Sequence, residues 1–486
     1  MIKNFKWLLL VSLSFVACNN DDNETPTEIP VTSGSADFSK YVALGDSFAA
    51  GYSDNALFKA GQENAYTNIM AQQFAFAGGG AFSTPFMADD NIGGFSLGGV
   101  QMPQFPTRLY FNGSAPVNVS GVSGNVYGTT VTGPFNNMGV PGAKSFHLVT
   151  PNYGTLNPYF GRFASATGAT IIGDALAQTP TFFSLWIGGN DVLTYATSGG
   201  VGVNQTGNFN PATYGSNDIT DPNVFASAFS GMVTNLTANG AKGVVANLPY
   251  VNTLPYFTTV PHNPIPLDAA TVALLSGASG YGAYNAGIQF AAANGLITAA
   301  EATRRTVSFH VGSGNSVVMV DSYLTNLSAY GIPSYRQATS EDLLILPSRN
   351  FIGTAVGGNP SLINGVSVPL VDNWILSKDE VAEVKVATDA YNVTIESVAT
   401  ANGLAFVDTK AIMNQLASGG VAFGTYTMTT TYVTGGMFSL DGVHPSPRGY
   451  ALIANKFLEA INAEYGSTVK PVDSRDYRIL YPAVIN

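Results

Sequence analysis

The residues able to do chemistry fall in four short segments spread along most of the chain. They are Gly45-Asp46-Ser47, Asn137-Met138-Gly139-Val140-Pro141-Gly142, Gly188-Gly189-Asn190-Asp191 and Asp441-Gly442-Val443-His444-Pro445. In that order they offer a hydroxyl, a backbone N–H, an amide side chain, and an imidazole with a carboxylate close before it. Together these are the parts for acyl transfer through a serine: a nucleophile, oxyanion donors, a general base and the acid that orients it. Each segment alone has a plainer reading. Ser47 suits a helix N-cap after a strand, as do Asn190 and Asp191, and residues 137–142 hold ordinary turn formers.

The base is found by elimination among four histidines, His147, His262, His310 and His444. His310 lies among apolar residues and reads as a core position in a strand. His262 sits between Pro261 and Asn263 in an irregular loop. His147 follows the second segment and is the best rival. Only His444 has a carboxylate three residues earlier, Asp441, in a loop before a helix. That spacing lets Asp441 orient the ring and stabilise its charged form. For Ser47, a place in the first turn of a helix would let its own N–H help bind negative charge.

Other motifs are weaker. Gly94-Phe95-Ser96-Leu97-Gly98 matches a Gly-x-Ser-x-Gly elbow, which needs a strand before it and a helix after it. Gly- and Asp-rich chain precedes it and Pro103 and Pro106 follow, so it reads as an insertion loop. Asp218 and Asp221 are candidates for a calcium loop, although a solvated loop is the simpler reading. No His/Cys cluster has metal-ligand spacing and no Gly-rich loop carries a phosphate-binding lysine, so no cofactor or metal is expected.

The elements that must position these segments are legible in part. Residues 41–44, 181–187, 243–248 and 404–407 are apolar runs of the kind that form buried parallel strands. A further strand is expected before Asn137, but residues 131–135 match it poorly. Helices are expected at 65–76 and 221–240, and from the capping box Ser377–Glu380 to about Gly403. A last helix starts with Ser446 as N-cap and Pro447 next, places Tyr450, Ile453, Phe457 and Ile461 on one face, and closes at Gly466. Alternating strands and helices predict an α/β fold with a doubly wound, mostly parallel sheet between two helical layers. Three stretches do not fit that core: 78–134, rich in Gly, Ser, Thr and Asn; 252–373, with a helical piece near 284–293 and apolar runs at 307–311 and 316–320; and 411–437.

The four segments, in this order, resemble the SGNH (GDSL-type) hydrolase superfamily of esterases and lipases. The resemblance covers about residues 41–465 and leaves the three insertions unexplained. It departs from the usual motif at Phe48, where the family has Leu. It implies a flavodoxin-like core and no cofactor. It also implies catalytic Ser47, Asp441 and His444, with an oxyanion hole made by the Ser47 and Gly142 N–H groups and the Asn190 amide. Asp46 and Asp191 are expected to brace loops. The substrate would be an ester: a lipid, a short-chain ester or an acetylated glycan. The competing reading is a non-catalytic surface lipoprotein that binds a glycan or partner on the same scaffold.

Only 10% of residues are charged and the net charge is −11, which argues against a nucleic-acid partner. Lys3 and Lys6 precede an apolar run over 7–17, too short to span a bilayer, so 1–17 reads as a signal peptide. Ala17-Cys18 resembles the end of a bacterial lipoprotein box, with Phe15 where an aliphatic residue is usual. The resemblance implies a lipidated Cys18, a membrane anchor, and export to the envelope as an outer-membrane, surface-exposed lipoprotein. Cys18 is the only cysteine, so no disulfide can form within the chain. Residues 18–39, with Asp21, Asp22 and Glu24, read as a polar tether, residues 40–466 as the hydrolase domain, and 467–486 as a tail.

Overall fold

A computed structural model describes residues 30–485. The signal peptide, Cys18 and the acidic stretch after it lie outside the described residues. Five parallel strands form the central sheet: β1 (Tyr41–Gly45), β2 (Asn137–Gly139), β3 (Phe182–Trp186), β4 (Lys242–Ala246) and β5 (Ala405–Val407). Their order is β5-β4-β3-β1-β2. β1 pairs with β3 from Tyr41 opposite Phe182 to Gly45 opposite Trp186, and with β2 from Ala43 opposite Asn137. This is the doubly wound, flavodoxin-like arrangement expected above. Right-handed crossovers leave β1 toward one edge and β3 toward the other, so a crevice opens between their C-terminal ends.

The fifth strand is the second segment itself. Its three residues, Asn137-Met138-Gly139, are all buried and contain a single apolar side chain, which is why no hydrophobic run marks it. Its polar member is satisfied locally: Asn137 Nδ2 donates to Ala49 O and to Thr67 Oγ1, both at 3.0 Å.

Helices cover the sheet where the apolar spacing predicts. α1 (Ser47–Ala50) is one turn, and α2 (Tyr66–Ala75) buries Tyr66, Ile69, Met70 and Phe74. α3 (Asn190–Thr197) follows β3. α4 (Pro222–Thr237) is capped by Asp221. α5 (Lys378–Asn402) opens with the reciprocal Ser377–Glu380 box and closes on Gly403. α6 (Pro447–Tyr465) is capped by Ser446, which accepts the Gly449 N–H at 3.0 Å, and ends at Gly466. The α6 residues Tyr450, Phe457 and Ile461 are essentially inaccessible. Each such side chain contributes roughly 1.5–3 kcal/mol on burial. That burial fixes α6, and with it the loop that carries Asp441 and His444.

The insertions build walls. The 78–134 stretch holds two small hairpins, Ser96–Leu97 with Val100–Gln101 and Leu109–Phe111 with Pro116–Asn118. The 252–373 stretch includes the helix Tyr281–Ala293 and has its own apolar cluster of Val260, Ile265, Val317, Val318 and Leu370. The 411–437 stretch sends Met413, Val421 and Met428 into the main core.

Four expectations are corrected. Residues 307–311 are not a strand: the strands there are Gly312–Asn315 and Val318–Val320. His310 is accordingly exposed, with Nε2 3.0 Å from Ser313 O, and is no core residue. The tether ends earlier than residue 39, because Ser35 N–H donates to Tyr465 O at 2.8 Å and Phe38 is buried, stacked on Phe74 at 4.0 Å. One phenyl ring supplies the apolar surface that the rest of the stretch lacks. The segment after Gly466 also packs back: Tyr481 is buried edge-on against Phe58 and donates to Ala60 O at 2.9 Å.

Candidate active site

The site is assembled at the C-terminal ends of β1, β2 and β3. After Gly45 the chain turns into α1. A side chain at Gly45 would meet Trp186 O on the neighbouring strand at 2.5 Å, so only glycine lets β1 and β3 lie this close just before the turn. The cap of α1 is Asp46, whose Oδ1 accepts the Phe48 N–H at 3.0 Å. Ser47 is therefore the first residue of the helix, not its cap. Its hydroxyl is free for chemistry, and its N–H has no partner among the described residues. Burial pushes the Asp46 carboxyl up to about 7, against the Phe48 N–H and the charge of His444.

His444 Nε2 lies 2.8 Å from Ser47 Oγ, and Nδ1 lies 2.9 Å from Asp441 Oδ2. The imidazole is held between Tyr52, with ring centroids 4.6 Å apart, and Phe48, at 5.3 Å. Phe48 in turn packs on Trp186. Asp441 Oδ1 accepts the N–H groups of Val443 at 2.9 Å and His444 at 2.8 Å. Burial alone would raise the Asp441 carboxyl. The His444 charge, the ring N–H and the two backbone N–H groups outweigh burial and hold it below the usual carboxylate range.

Gly142 follows Pro141 in a turn with φ +78°, a conformation that favours glycine. It lines the same cleft as Ser47, and its N–H makes no hydrogen bond among the described residues. Asn190 is the first residue of α3 and does not cap it. One hydrogen of its amide donates to Ala143 O at 3.0 Å, which leaves the other available in the cleft. Two backbone donors and one amide hydrogen thus border the hydroxyl of Ser47, where a carbonyl oxygen acquiring negative charge would be stabilised.

Asp191 is buried and takes no part in the cleft. Its Oδ2 accepts the Ser145 N–H at 2.8 Å and its Oδ1 the Ser145 hydroxyl at 2.7 Å. It ties the chain after Gly142 to α3 and so sets Gly142 and Asn190 relative to each other. His147 is spent on structure: Nδ1 accepts the Lys144 N–H at 3.0 Å and the ring stacks on Tyr153 at 4.3 Å. Burial, helped by Lys144, pushes its pKa down to about 4. Ser96 begins a hairpin strand and its hydroxyl bonds only to Asn125 O, at 3.4 Å, with no elbow around it. The carboxylates of Asp218 and Asp221 are filled by N–H donors of Val203, Gly215, Gly207 and Asn223.

The cleft above Ser47 has a volume of about 810 Å³. The insertions, which have no role in the sequence pattern, all contribute to this cleft. Phe105, Leu109 and Pro116 come from the first, Tyr256, Leu346 and Arg349 from the second, and Tyr432 from the third. Loop residues that meet only in space carry no periodic signal, so nothing in their spacing marks them.

A family profile described as GDSL-like lipase/acylhydrolase matches residues 41–457. No curated protein matches the chain. Similar solved structures include a mutant acetyl-xylooligosaccharide esterase from Geobacillus, at 11% identity and TM-score 0.33, covering 90% of this chain and 98% of that one. A catalytic mutant of an acetylxylan esterase from Geobacillus stearothermophilus matches at 11% identity and TM-score 0.32, with 90% and 98% covered. An alpha/beta hydrolase enzyme from the metagenome of Lake Arreo, Spain, matches at 10% identity and TM-score 0.32, with 88% and 96% covered.

Proposed function

This chain belongs to the GDSL-like lipase/acylhydrolase family and is an ester-hydrolysing enzyme, and on that premise we propose that it works through an acyl-enzyme on Ser47. The observation that carries the proposal is the unbroken line from Ser47 Oγ to His444 Nε2 at 2.8 Å, and from His444 Nδ1 to Asp441 Oδ2 at 2.9 Å. Ser47 Oγ attacks the ester carbonyl carbon as His444 takes its proton. The oxyanion is held by the N–H groups of Ser47 and Gly142 and by the Asn190 amide. His444 then gives its proton to the leaving alcohol, and the acyl group stays on Ser47. Water, deprotonated by His444, attacks the acyl carbon and releases the acid. Asp441 stays ionised throughout and stabilises the imidazolium.

The substrate is a carboxylic ester, and a cleft of about 810 Å³ has room for a lipid acyl chain or for the alcohol portion of an acetylated glycan. Hydrolysis of p-nitrophenyl esters from acetyl to palmitoyl, beside Ser47→Ala, tests the assignment. Activity lost in the variant supports it, and the chain-length optimum separates an esterase of lipids from one of short acyl groups on a glycan. Turnover equal in Ser47→Ala and wild type would sink it.

We also propose that the enzyme is exported and anchored through lipidated Cys18. Support comes from Lys3 and Lys6, the apolar run over 7–17 and the Ala17-Cys18 junction. A lipid on Cys18 would hold the enzyme at the envelope through a linker that ends near Thr32, where the chain pairs with Thr468. Several acyl chains on one residue anchor stably where one does not. Among the described residues no helix is long and apolar enough to cross a membrane. Fatty-acid labelling of the cells checks this: label retained in Cys18→Ala would exclude the anchor.

A further inference from the structure

We infer that Arg349 selects the substrate, by binding a carboxylate or phosphate carried on the alcohol portion of the ester. The inference rests on the serine mechanism proposed above. Arg349 lies in the single turn Leu346–Asn350 of the second insertion. Its side chain is exposed, and it forms no hydrogen bond or ion pair among the described residues. Among the described residues it is the one Lys or Arg lining the cleft, and the one carboxylate there, Asp441, is spent on His444 and backbone N–H groups. In a chain with 31 acidic and 20 basic residues, the described residues thus offer the cleft a single unpaired positive charge. A guanidinium is suited to this task, because its planar fork matches a carboxylate or phosphate in two parallel hydrogen bonds.

The position of Arg349 says which half of the ester carries the anion. A side chain added at Gly442, the residue after Asp441, would meet Leu346 of the same turn as Arg349 at 3.3 Å, and the Gly442 carbonyl accepts the Tyr256 N–H of the same insertion at 2.9 Å. Arg349 thus belongs to a turn packed against the loop that carries Asp441 and His444. When the tetrahedral intermediate collapses, the bond from carbon to the alcohol oxygen breaks and His444 Nε2 delivers its proton to that oxygen. The alcohol must therefore lie toward His444, while the carbonyl oxygen lies toward Gly142 and Asn190. Arg349 makes and breaks none of these bonds; it binds what departs. It also lines a second groove, of about 630 Å³, with Pro264, Pro266 and Ile352, so the space past it is open to the rest of a long alcohol.

The test uses the full chain and three acetate esters of matched size: 4-acetoxybenzoate, 4-acetoxyphenyl phosphate and the neutral 4-acetoxybenzamide. Each kcat/KM is normalised to the hydroxide-catalysed rate of the same ester. Wild type is expected to prefer at least one charged ester over the carboxamide by about tenfold. Which charged ester is preferred separates a carboxylate from a phosphate ligand. The ratio is expected to fall to about 1 in Arg349→Gln, to be partly kept in Arg349→Lys, and to shrink as salt is raised. Equal normalised rates on all three esters in wild type, or a preference kept in Arg349→Gln, would overturn the assignment and leave the serine mechanism standing. Turnover equal in Ser47→Ala and wild type removes the mechanism and the assignment with it.

Discussion

The backbone N–H of Asn55 donates to Asp441 Oδ2 at 3.0 Å, the same oxygen that receives His444 Nδ1. The two residues are far apart in sequence, yet their loops are stapled at several points. Asp54 Oδ1 accepts the Leu440 N–H at 2.9 Å, the Asp54 N–H donates to Ser439 Oγ at 3.0 Å, and Ser53 Oγ donates to Pro445 O at 3.1 Å. Asp54 and Asn55 reach these partners with φ of 50° and 64°, a left-handed conformation that Asp and Asn tolerate better than most residues. The loop after α1 thus holds the acid–base loop against Ser47. Asp54→Ala leaves a buried Leu440 N–H unpaired and is expected to cost about 1–3 kcal/mol of stability. Urea denaturation of Asp54→Ala beside the isosteric Asp54→Asn checks this, since the amide oxygen of Asn keeps the acceptor.

Asp441→Asn keeps the shape of the orienting group but puts an amide where a carboxylate faces the ring. The ring N–H then loses its ionic acceptor and the imidazolium its stabilising charge. A fall in kcat of about 10⁴-fold is expected, by analogy with serine triads in general. Measurement of kcat on p-nitrophenyl butyrate, with a circular dichroism spectrum to show the fold is kept, decides it. A loss below tenfold would mean that Asp441 does not serve the base.

Asn190 and Asp191 are neighbours with opposite duties. Asn190→Ala removes the amide proposed to hold the oxyanion and is expected to lower kcat by about 10²–10³-fold with little change in the melting temperature. Asp191→Ala removes the acceptor of both Ser145 hydrogen bonds in a buried site. It is expected to lower the melting temperature first and activity only as the Gly142 turn loosens. Thermal melts and kcat on the two variants separate these roles.

The second histidine near the site offers a control. Burial holds His147 down at about 4, so it is neutral at ordinary assay pH, and it stacks on Tyr153. Its ring is spent on Lys144. His147→Gln is therefore expected to keep most of the activity, whereas His444→Gln abolishes it. The reverse result on any p-nitrophenyl ester would reassign the base.

Stability should fall as pH rises from about 4 to about 7. Burial raises Asp46, Asp54 and Glu380 each to about 7 in the fold. Between about pH 4 and 7 the folded chain keeps protons that the unfolded chain has released, so unfolding free energy drops as pH rises. Carboxyls held low, such as Asp441 and Asp342, add stability that is complete above about pH 4 and is lost only in stronger acid. His147, held at about 4, works the other way between about pH 4 and 6.5, one group against several raised carboxyls. Urea melts are expected to show a more stable protein at pH 5 than at pH 8, with the difference reduced in Asp54→Asn. A protein equally stable at both would refute the buried neutral carboxyls.

Much of the frame is legible in the residue pattern. The capping box at Ser377 and Glu380 forms as its spacing predicts, with Ser377 N–H to Glu380 Oε2 at 2.7 Å. The α6 cap at Ser446 and its buried face also stand where the spacing puts them. Both are local devices, made by residues a few positions apart. β2 is illegible because Asn137 and Gly139 suit close approach to Ala49 rather than strand propensity. The run at 307–311 misleads for the opposite reason: its apolar pattern suits a strand, but Asn315 folds back to bond His310 O at 2.9 Å and turns the chain.

The sequence by itself determined the chemical inventory of the site, its order along the chain and most of the helices and strands that carry it, because side-chain chemistry and short-range spacing are local properties. Only the tertiary structure decided that Ser47 and His444, 397 residues apart, stand 2.8 Å from each other. It alone also set Asn55 to hold Asp441, and let three insertions wall one cleft that Arg349 lines. Those relations arise from the packing of α6 and the long loops onto the sheet. Packing answers to the summed shape and burial of distant residues, which no single stretch of sequence contains.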